Sequence, residues 1–504
     1  MRTYKYNNIY ANINQKINRL INLEVFYLKY NSFIPEYLKS IVYDNIFKIF
    51  PISYNTLIIL LYPKIYKKNI DKLKKSQWWT KEKIQKYQDQ KLSELLKHAS
   101  KNVPYYHSLF RKLNVDYNEF SSVDDLAKLP LLSKEEVRRN GDRFKATNFP
   151  KYKFMCVKTG GTAGTPLNVF VNKGVWDVVH LTFFKAYLDR FLLNSNDKYV
   201  ILRRTQSKYN TPRKYYEYGL FSKILVLFPS FMNNTNIKNY VKKIQNYKPF
   251  CIITYPSIIT KLAIYMRRNK IPPFKNLKLI SCSVENLHDW QRNKLEEFFN
   301  CRVSSIYGHA ESATLAATCE KSNYFHFFPE YGITEIVGKD NNLITTEGSK
   351  GEIIATGFIN NIFPLIRYRT GDIGVYTEKK CRCGRNYQII KSIQGRKQEY
   401  LISKDGSILP VISTGLYYFF SENLKNFMVS QIIQENEGEL VLNIVKDENF
   451  DEINVSKVVK KFGKRFGTDF NLNICYKDNI KQGRRGERIY FIQKLQIPIE
   501  KILD

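Results

Sequence analysis

Through the first 125 residues, apolar positions recur at intervals of three and four, as at Ile17, Leu20 and Ile21 and again at Leu92, Leu95 and Leu96. That spacing gathers them on one face of a helix, so residues 1–125 are expected to be mainly helical and to pack on the large domain C-terminal to them. Asn102-Val103-Pro104-Tyr105-Tyr106 breaks the period and reads as an extended turn. Beyond Pro130-Leu131-Leu132, Ser133 with Glu136 three residues on has the form of a helix start, with Ser133 as N-cap. From residue 150 to 380 the period changes. Short β-branched or apolar runs, among them Phe154-Met155-Cys156-Val157, Tyr199-Val200-Ile201-Leu202, Phe250-Cys251-Ile252-Ile253, Leu277-Lys278-Leu279-Ile280 and Glu352-Ile353-Ile354-Ala355, alternate with helical patterns. This alternation predicts an α/β body with largely parallel strands. The pattern shifts again near residue 395. A strand is expected at 439–445 and a basic amphipathic helix near 455–466, so residues 395–504 read as a small α+β domain beside a large domain at 126–394.

The most apolar stretch, Leu57-Ile58-Ile59-Leu60-Leu61, is well short of the about 20 residues that span a bilayer and reads as a buried or an interfacial helix. The polar start Met-Arg-Thr-Tyr-Lys-Tyr leads into no apolar core, so no secretory signal is expected. Lysine and arginine exceed aspartate and glutamate by 80 − 46, a net charge of +34. The basic residues are spread along the whole of the 504-residue chain, which argues against a specific nucleic-acid partner and leaves a weak attraction to anionic membrane surfaces. Hydrophobic content of 43% marks a globular protein. Eight cysteines in this length do not make a disulfide framework, and a cytoplasmic location is expected.

Four short motifs carry candidate chemistry. Thr159-Gly160-Gly161-Thr162-Ala163-Gly164-Thr165-Pro166 follows a strand-like run. Glycines allow close backbone approach to a ligand, and hydroxyls with free N–H groups suit phosphate oxygens; a plain surface turn is the other reading. No Gly-Lys-Ser/Thr follows at Walker spacing. Tyr307-Gly308-His309-Ala310-Glu311 offers an aromatic ring for stacking and a carboxylate for a hard cation. Asp372, ending Arg367-Tyr368-Arg369-Thr370-Gly371-Asp372, suits bidentate acceptance from ribose hydroxyls. Gly395-Arg396 lies at the domain boundary.

In their order and spacing these motifs resemble the adenylate-forming (ANL) superfamily, most closely its phenylacetate–CoA ligase branch with the CapK-type proteins of polysaccharide gene clusters. His98–Tyr106, Leu129–Lys134 and Ser283-Val284-Glu285-Asn286-Leu287 add to the resemblance, which runs from about residue 75 to the C-terminus. It implies an α/β fold with mixed sheets and flanking helices plus a small mobile C-terminal domain. It also implies a ligase that uses ATP and Mg²⁺ to convert a small-molecule carboxylic acid to an acyl-adenylate, then passes the acyl group to CoA or to an amine acceptor such as a sugar. By the same resemblance, Thr159, Gly160, Gly161, Thr162, Gly164 and Thr165 hold the β- and γ-phosphates. Tyr307 and Gly308 with Glu285 face adenine, Glu311 takes Mg²⁺, and Asp372 with Arg396 fix the ribose.

Cys319, His326, Cys381 and Cys383 form a second set. Three thiolates and one imidazole suit a closed tetrahedral zinc site of structural type, and the branch resembled has a Cys-x-Cys-Gly-Arg loop with an upstream Cys and His. Four unrelated residues, with 381–383 an exposed loop, is the alternative. Cys156, Cys251, Cys282, Cys301 and Cys475 read as core residues. The acid pocket is expected to draw its walls from residues 200–310, including Tyr255–Ser257 and Ser281–Ser283. A homodimer is carried as an open assembly.

The chain departs from the family in one telling place. Where a C-terminal lysine neutralises charge at the α-phosphate, the matching stretch Gly483-Arg484-Arg485-Gly486-Glu487-Arg488 puts Glu487. A carboxylate there repels phosphate, so Lys481, Arg484, Arg485 or Arg488 is expected to substitute, with Arg485 and Arg488 taken beside Glu311 as the catalytic residues, although a planar guanidinium is not equivalent to an ammonium. A nucleotide-binding protein with little adenylation is the reading in which no substitute works.

Overall fold

The computed structural model describes residues 39, 54–159, 167–193, 197–203, 215–219, 223–229, 232, 235–396, 400–410, 416–424, 427–446, 450–480 and 491–495. Helices α1 (Tyr54–Leu61), α2 (Pro63–Ser76), α3 (Lys81–Asn102) and α4 (Pro104–Leu113) lead in. α3 starts where Thr80 Oγ1 accepts from Lys83 N at 3.3 Å, and it buries Leu92, Leu95, Leu96 and Ala99 at the helical interval. The turn expected at 102–106 shrinks to Val103. Pro104 opens α4 as its first helical residue, a position where its missing N–H and preset φ suit a helix start. α5 (Lys134–Asn140) is capped as expected, Ser133 Oγ accepting from Glu136 N at 3.1 Å.

The hairpin β1 (Phe154–Lys158) and β2 (Asn168–Asn172) is antiparallel and is followed by α6 (Val175–Asp189). Ile58 and Leu61 of α1 are buried beside Val178 of α6, so the apolar run at 57–61 is a buried helix.

The chain then runs β3 (Tyr199–Leu202), β4 (Tyr216–Tyr218), β5 (Ile224–Leu227), α7 (Ile237–Tyr247), β6 (Cys251–Thr254) and α8 (Pro256–Arg268). β7 (Leu279–Ser283), α9 (Asp289–Phe299), β8 (Arg302–Gly308), β9 (Leu315–Ala317) and β10 (Phe325–Phe327) come next. β11 (Gly332–Val337), β12 (Lys350–Gly357), β13 (Tyr368–Tyr376) and β14 (Ile389–Arg396) complete a 12-stranded sheet in the order β11-β12-β13-β14-β10-β9-β8-β7-β6-β3-β5-β4. Among the described residues of this sheet, parallel pairing is confined to β5-β3-β6-β7-β8. The largely parallel strands expected from the alternation are therefore corrected to the mixed sheet that the resemblance implies. β9 to β14 are joined without crossover helices, and short connections permit only antiparallel neighbours. β6 is buried along its whole length, as a parallel strand covered on both faces should be.

The C-terminal part holds β15 (Tyr400–Ile402), β16 (Ile408–Pro410), α10 (Leu416–Asn423), β17 (Phe427–Asn436), β18 (Glu439–Lys446), α11 (Glu452–Phe466), β19 (Asn471–Tyr476) and β20 (Phe491–Gln493). Its four-stranded sheet, β19-β18-β17-β20, has its own core of Phe419, Phe420, Leu442, Val458 and Phe462. Ile373 of β13 packs against Tyr400 and Ile402, which ties the two parts together. No described helix is long and apolar enough to cross a membrane. Cys251 and Cys282 are buried, but Cys156 is exposed and Cys301 and Cys475 are half-buried. The expectation that all five are core residues is corrected for Cys156, whose strand belongs to a two-stranded hairpin rather than to the central sheet.

Candidate active site

The parallel strands β6, β7 and β8 deliver their carboxyl ends to one edge of the sheet, and β8 is also where pairing changes from parallel to antiparallel. Open α/β sheets bind ligands at such strand ends. β7 ends in a fastened loop. Ser283 Oγ accepts from Arg203 Nη1 at 2.9 Å, and the Glu285 carboxylate accepts from Ser257 N and Ser257 Oγ, each at 3.0 Å. Glu285 therefore uses both its oxygens on the first turn of α8. Between these ties Val284 is held at φ +75° with 55% of its surface exposed. A β-branched residue in the left-handed region is a strained arrangement. Behind the loop, Ser281 bonds Tyr187, and Tyr255, Ser281 and Cys282 are buried.

β8 carries Tyr307, whose hydroxyl donates to Asp372 Oδ2 at 2.8 Å. Asp372, buried on β13, faces Arg396 of β14 as its strand partner. Glu311 is also buried. Tyr368 donates its hydroxyl to Glu311 Oε1 at 3.2 Å, and His309 Nδ1 stands 3.5 Å from Oε2. Burial pushes the Glu311 carboxyl up, but the attraction of His309 outweighs it and draws the group down to about 2. The carboxylate is thus ionised at neutral pH and suited to a hard cation.

The loop behind Glu311 lies flat on the sheet because β11 and β12 present glycines there. A Cβ on Gly332 would come within 2.7 Å of Ala313 O, and one on Gly357 within 2.8 Å of Ser312 O. Trp176 Nε1 donates to Ser312 Oγ at 2.8 Å. His180 Nδ1 bonds the Trp176 carbonyl at 2.7 Å, which leaves Nε2 to accept from the Tyr331 hydroxyl at 2.7 Å. Burial holds the His180 imidazole near 4. Sequence reading missed this Trp176–Ser312 and His180–Tyr331 support, because its members are spread over 156 positions with no local pattern.

Thr159 stands at the neck of the glycine-threonine loop. Its hydroxyl accepts from Leu167 N and its N–H donates to Leu167 O, both at 2.9 Å. Gly160, Gly161, Thr162, Gly164 and Thr165 lie outside the described residues, as do Arg485, Glu487 and Arg488. Arg367 turns away from the strand ends. Its guanidinium pairs with Glu335 at 2.8 and 3.2 Å and donates to the carbonyl of Leu129 at 2.6 Å. Arg369 pairs with Glu352 at 2.6 and 2.8 Å.

Cys319, His326, Cys381 and Cys383 converge, their ligand atoms all within 4.8 Å of one another. A tetrahedral zinc with ordinary Zn–S and Zn–N bonds separates sulfur from sulfur by about 3.8 Å and sulfur from nitrogen by about 3.6 Å. Cys319 Sγ to Cys381 Sγ is 3.6 Å, and Cys383 Sγ to His326 Nε2 is 3.4 Å. His326 Nδ1 bonds the Tyr324 carbonyl at 2.9 Å, which turns Nε2 toward the sulfurs, the usual outer-shell arrangement of a ligating histidine. Lys321 N donates to Cys319 Sγ at 3.3 Å. The hydrogen bond from Cys383, with His326 beside it, pulls the Cys319 thiol well below its ordinary range, toward the thiolate that binds metal. Arg385 locks the loop, donating to Glu320 at 2.9 Å and to Gln77 at 3.1 Å.

Comparison with known proteins finds relatives along most of the chain. Residues 401–494 match the CapK C-terminal domain family. Protein CapK of Staphylococcus aureus is 25% identical over 424 residues, covering 81% of this chain and 89% of that protein. The phenylacetate-coenzyme A ligase of Thermus thermophilus is 25% identical over 374 residues, covering 71% and 80%. In fold, 2-hydroxyisobutyryl-CoA ligase in its postadenylation state superposes with a TM-score of 0.63 at 15% identity, over 83% of this chain and 93% of that one. The chain is thus a homologue of CapK and the phenylacetate–coenzyme A ligases, and it shares the fold of an acyl-CoA ligase of known structure.

Proposed function

We propose that this protein is an AMP-forming ligase that activates a carboxylic acid with ATP and transfers the acyl group to CoA. A carboxylate oxygen attacks the α-phosphorus and the bond to pyrophosphate breaks. The thiol sulfur then attacks the acyl carbon, and AMP leaves with its oxygen. Such chemistry rests on positioning and charge neutralisation. Tyr307 would lie along the base and Asp372, beside Arg396 on the neighbouring strand, would accept from the ribose hydroxyls. Glu311 would hold Mg²⁺, which when bound neutralises phosphate charge. The glycine-threonine loop would cover the leaving phosphates, with Thr159 closing its neck, and Arg485 and Arg488 are proposed to replace the cation lost at Glu487. The Cys/His set has the donor types and spacings for a structural Zn²⁺ that pins the 381–385 loop beside β10. We take residues 126–394 as the catalytic body, with 1–125 packed on it and 395–504 as the closing domain.

One observation carries this reading: Tyr307, Asp372 and the ionised Glu311, which lie up to 65 residues apart, meet at the strand ends. The test is ATP–pyrophosphate exchange over a panel of carboxylic acids. Exchange that needs the acid, with AMP release that needs CoA, is expected, and Glu311→Gln should lower it by about a hundredfold or more. ATP binding without exchange for any acid refutes the ligase reading. A second acceptor, an amine on a sugar, is carried by the resemblance to CapK-type proteins, which the CapK domain match at 401–494 and the 89% coverage of CapK extend along the chain. AMP release that ignores CoA but responds to amino sugars would select it and point to polysaccharide assembly.

A further inference from the structure

His309 occupies an unusual place within the site. Its side chain is only 7% exposed, yet neither ring nitrogen has a hydrogen-bond partner among the described residues. Its Nδ1 stands 3.5 Å from Glu311 Oε2, too long for a good hydrogen bond. Its ring lies edge-on to Tyr307 at 6.1 Å and tilted to Tyr368 at 6.3 Å. Buried polar atoms without partners are uncommon and call for a specific explanation. Two aromatic neighbours cannot supply one here.

We propose that His309 is a catalytic hydrogen-bond donor to the α-phosphate, completed only when nucleotide is bound. The inference rests on the ligase reading above. It comes from the order of groups along one wall. Tyr307 and Asp372, joined at 2.8 Å, mark the nucleoside end. Glu311 marks the cation end, and His309 sits between them in chain and in space. The ligand group that passes between a ribose and the metal-bound phosphates is the α-phosphate. Charge accumulates on its oxygens as the carboxylate attacks, so an N–H aimed there stabilises the transition state more than the ground state. The need is acute in this chain, because Glu487 stands where its relatives are expected to bring a lysine to that phosphate.

Calorimetric titration with AMP and with adenosine, on wild type, His309→Phe and His309→Gln, tests the assignment. Wild type should prefer AMP. In His309→Phe the AMP-to-adenosine affinity ratio should fall about tenfold to a hundredfold, the range of a hydrogen bond to a charged group, with adenosine affinity kept. His309→Gln, which retains an N–H donor, should recover most of the ratio, and His309→Leu replaces the phenylalanine variant if that one does not fold. An unchanged ratio, an equal loss for both ligands, or no AMP preference in wild type overturns the proposal. A wild type that prefers AMP yet exchanges pyrophosphate with no acid would sink the ligase reading and leave the donor assignment standing.

Discussion

Arg367 opens the segment that ends in Asp372, and its sequence position invites a role in nucleotide binding. The structure assigns it to stability instead. Its side chain is 6% exposed and that of Glu335 is 10% exposed. Besides the paired bonds to Glu335, Arg367 reaches the carbonyls of Leu129 at 2.6 Å and Ala127 at 3.4 Å, and its own carbonyl accepts from Leu132 N while Leu132 O accepts from Arg369 N, both at 2.9 Å. It therefore rivets the 127–132 segment to β11 and β13. Arg367→Met keeps the length of the stem and removes the guanidinium. That leaves the Glu335 carboxylate buried without its cation, a loss of about 3–5 kcal/mol when one partner of a buried pair is deleted. For a body of this size the melting temperature should fall by about 5 °C or more. Thermal melts and ATP kinetics at a temperature where the variant is folded check this. Stability should drop while the ATP KM stays within about twofold, a difference of no more than about 0.4 kcal/mol. Adding Glu335→Gln should cost less than the sum of the two single changes, since the orphaned charge is removed. A KM raised tenfold with an unchanged melting temperature would refute the assignment and put Arg367 on the nucleotide.

Three further outcomes are expected from the geometry. Purified protein should carry about one zinc per chain, and chelation should lower its melting temperature, since a ligand at a thousand times its Kd contributes about 4 kcal/mol; Cys383→Ser should show the same loss and no further response to chelator. Tyr307→Phe should weaken ATP binding about fivefold, the worth of one hydrogen bond near 1 kcal/mol, with the fold intact; an unchanged affinity would remove the Tyr307–Asp372 bond from the binding account. Burial holds His180 and His288 near 4 in the folded state, below the unfolded value of 6.5. The unfolded chain therefore binds more protons between those values, so stability should be full above about pH 6.5 and fall as pH drops toward 4, by up to about 3 kcal/mol for each group. Denaturant midpoints that stay flat from pH 7 to pH 4.5 would refute it.

Local signals in the chain proved legible. Ser133 caps a helix whose first turn holds Glu136, and the strand expected at 199–202 is present with those ends. The strand expected at 277–280 lies two residues later, at Leu279–Ser283, because an apolar run does not mark which residue first meets a neighbouring strand. Cys319, His326, Cys381 and Cys383 were readable as a set from donor type. Their outer contacts, Tyr324 O on His326 and Glu320 on Arg385, were not, since backbone carbonyls carry no sequence signature.

By itself the sequence determined the alternation of elements, the order of the motifs and the ligand types on offer, all of which depend on residues close together in the chain or on resemblance along it. Only the tertiary structure decided which strands of the mixed sheet pair in parallel and that Tyr307 meets Asp372. It also decided that Arg367 serves Glu335 rather than the strand ends, and that the His309 ring is buried beside Glu311 with neither nitrogen hydrogen-bonded among the described residues. The reason is physical. Strand pairing and side-chain partnership are set by which distant surfaces exclude water together, and the same residue spacing is compatible with several such pairings until the whole core packs.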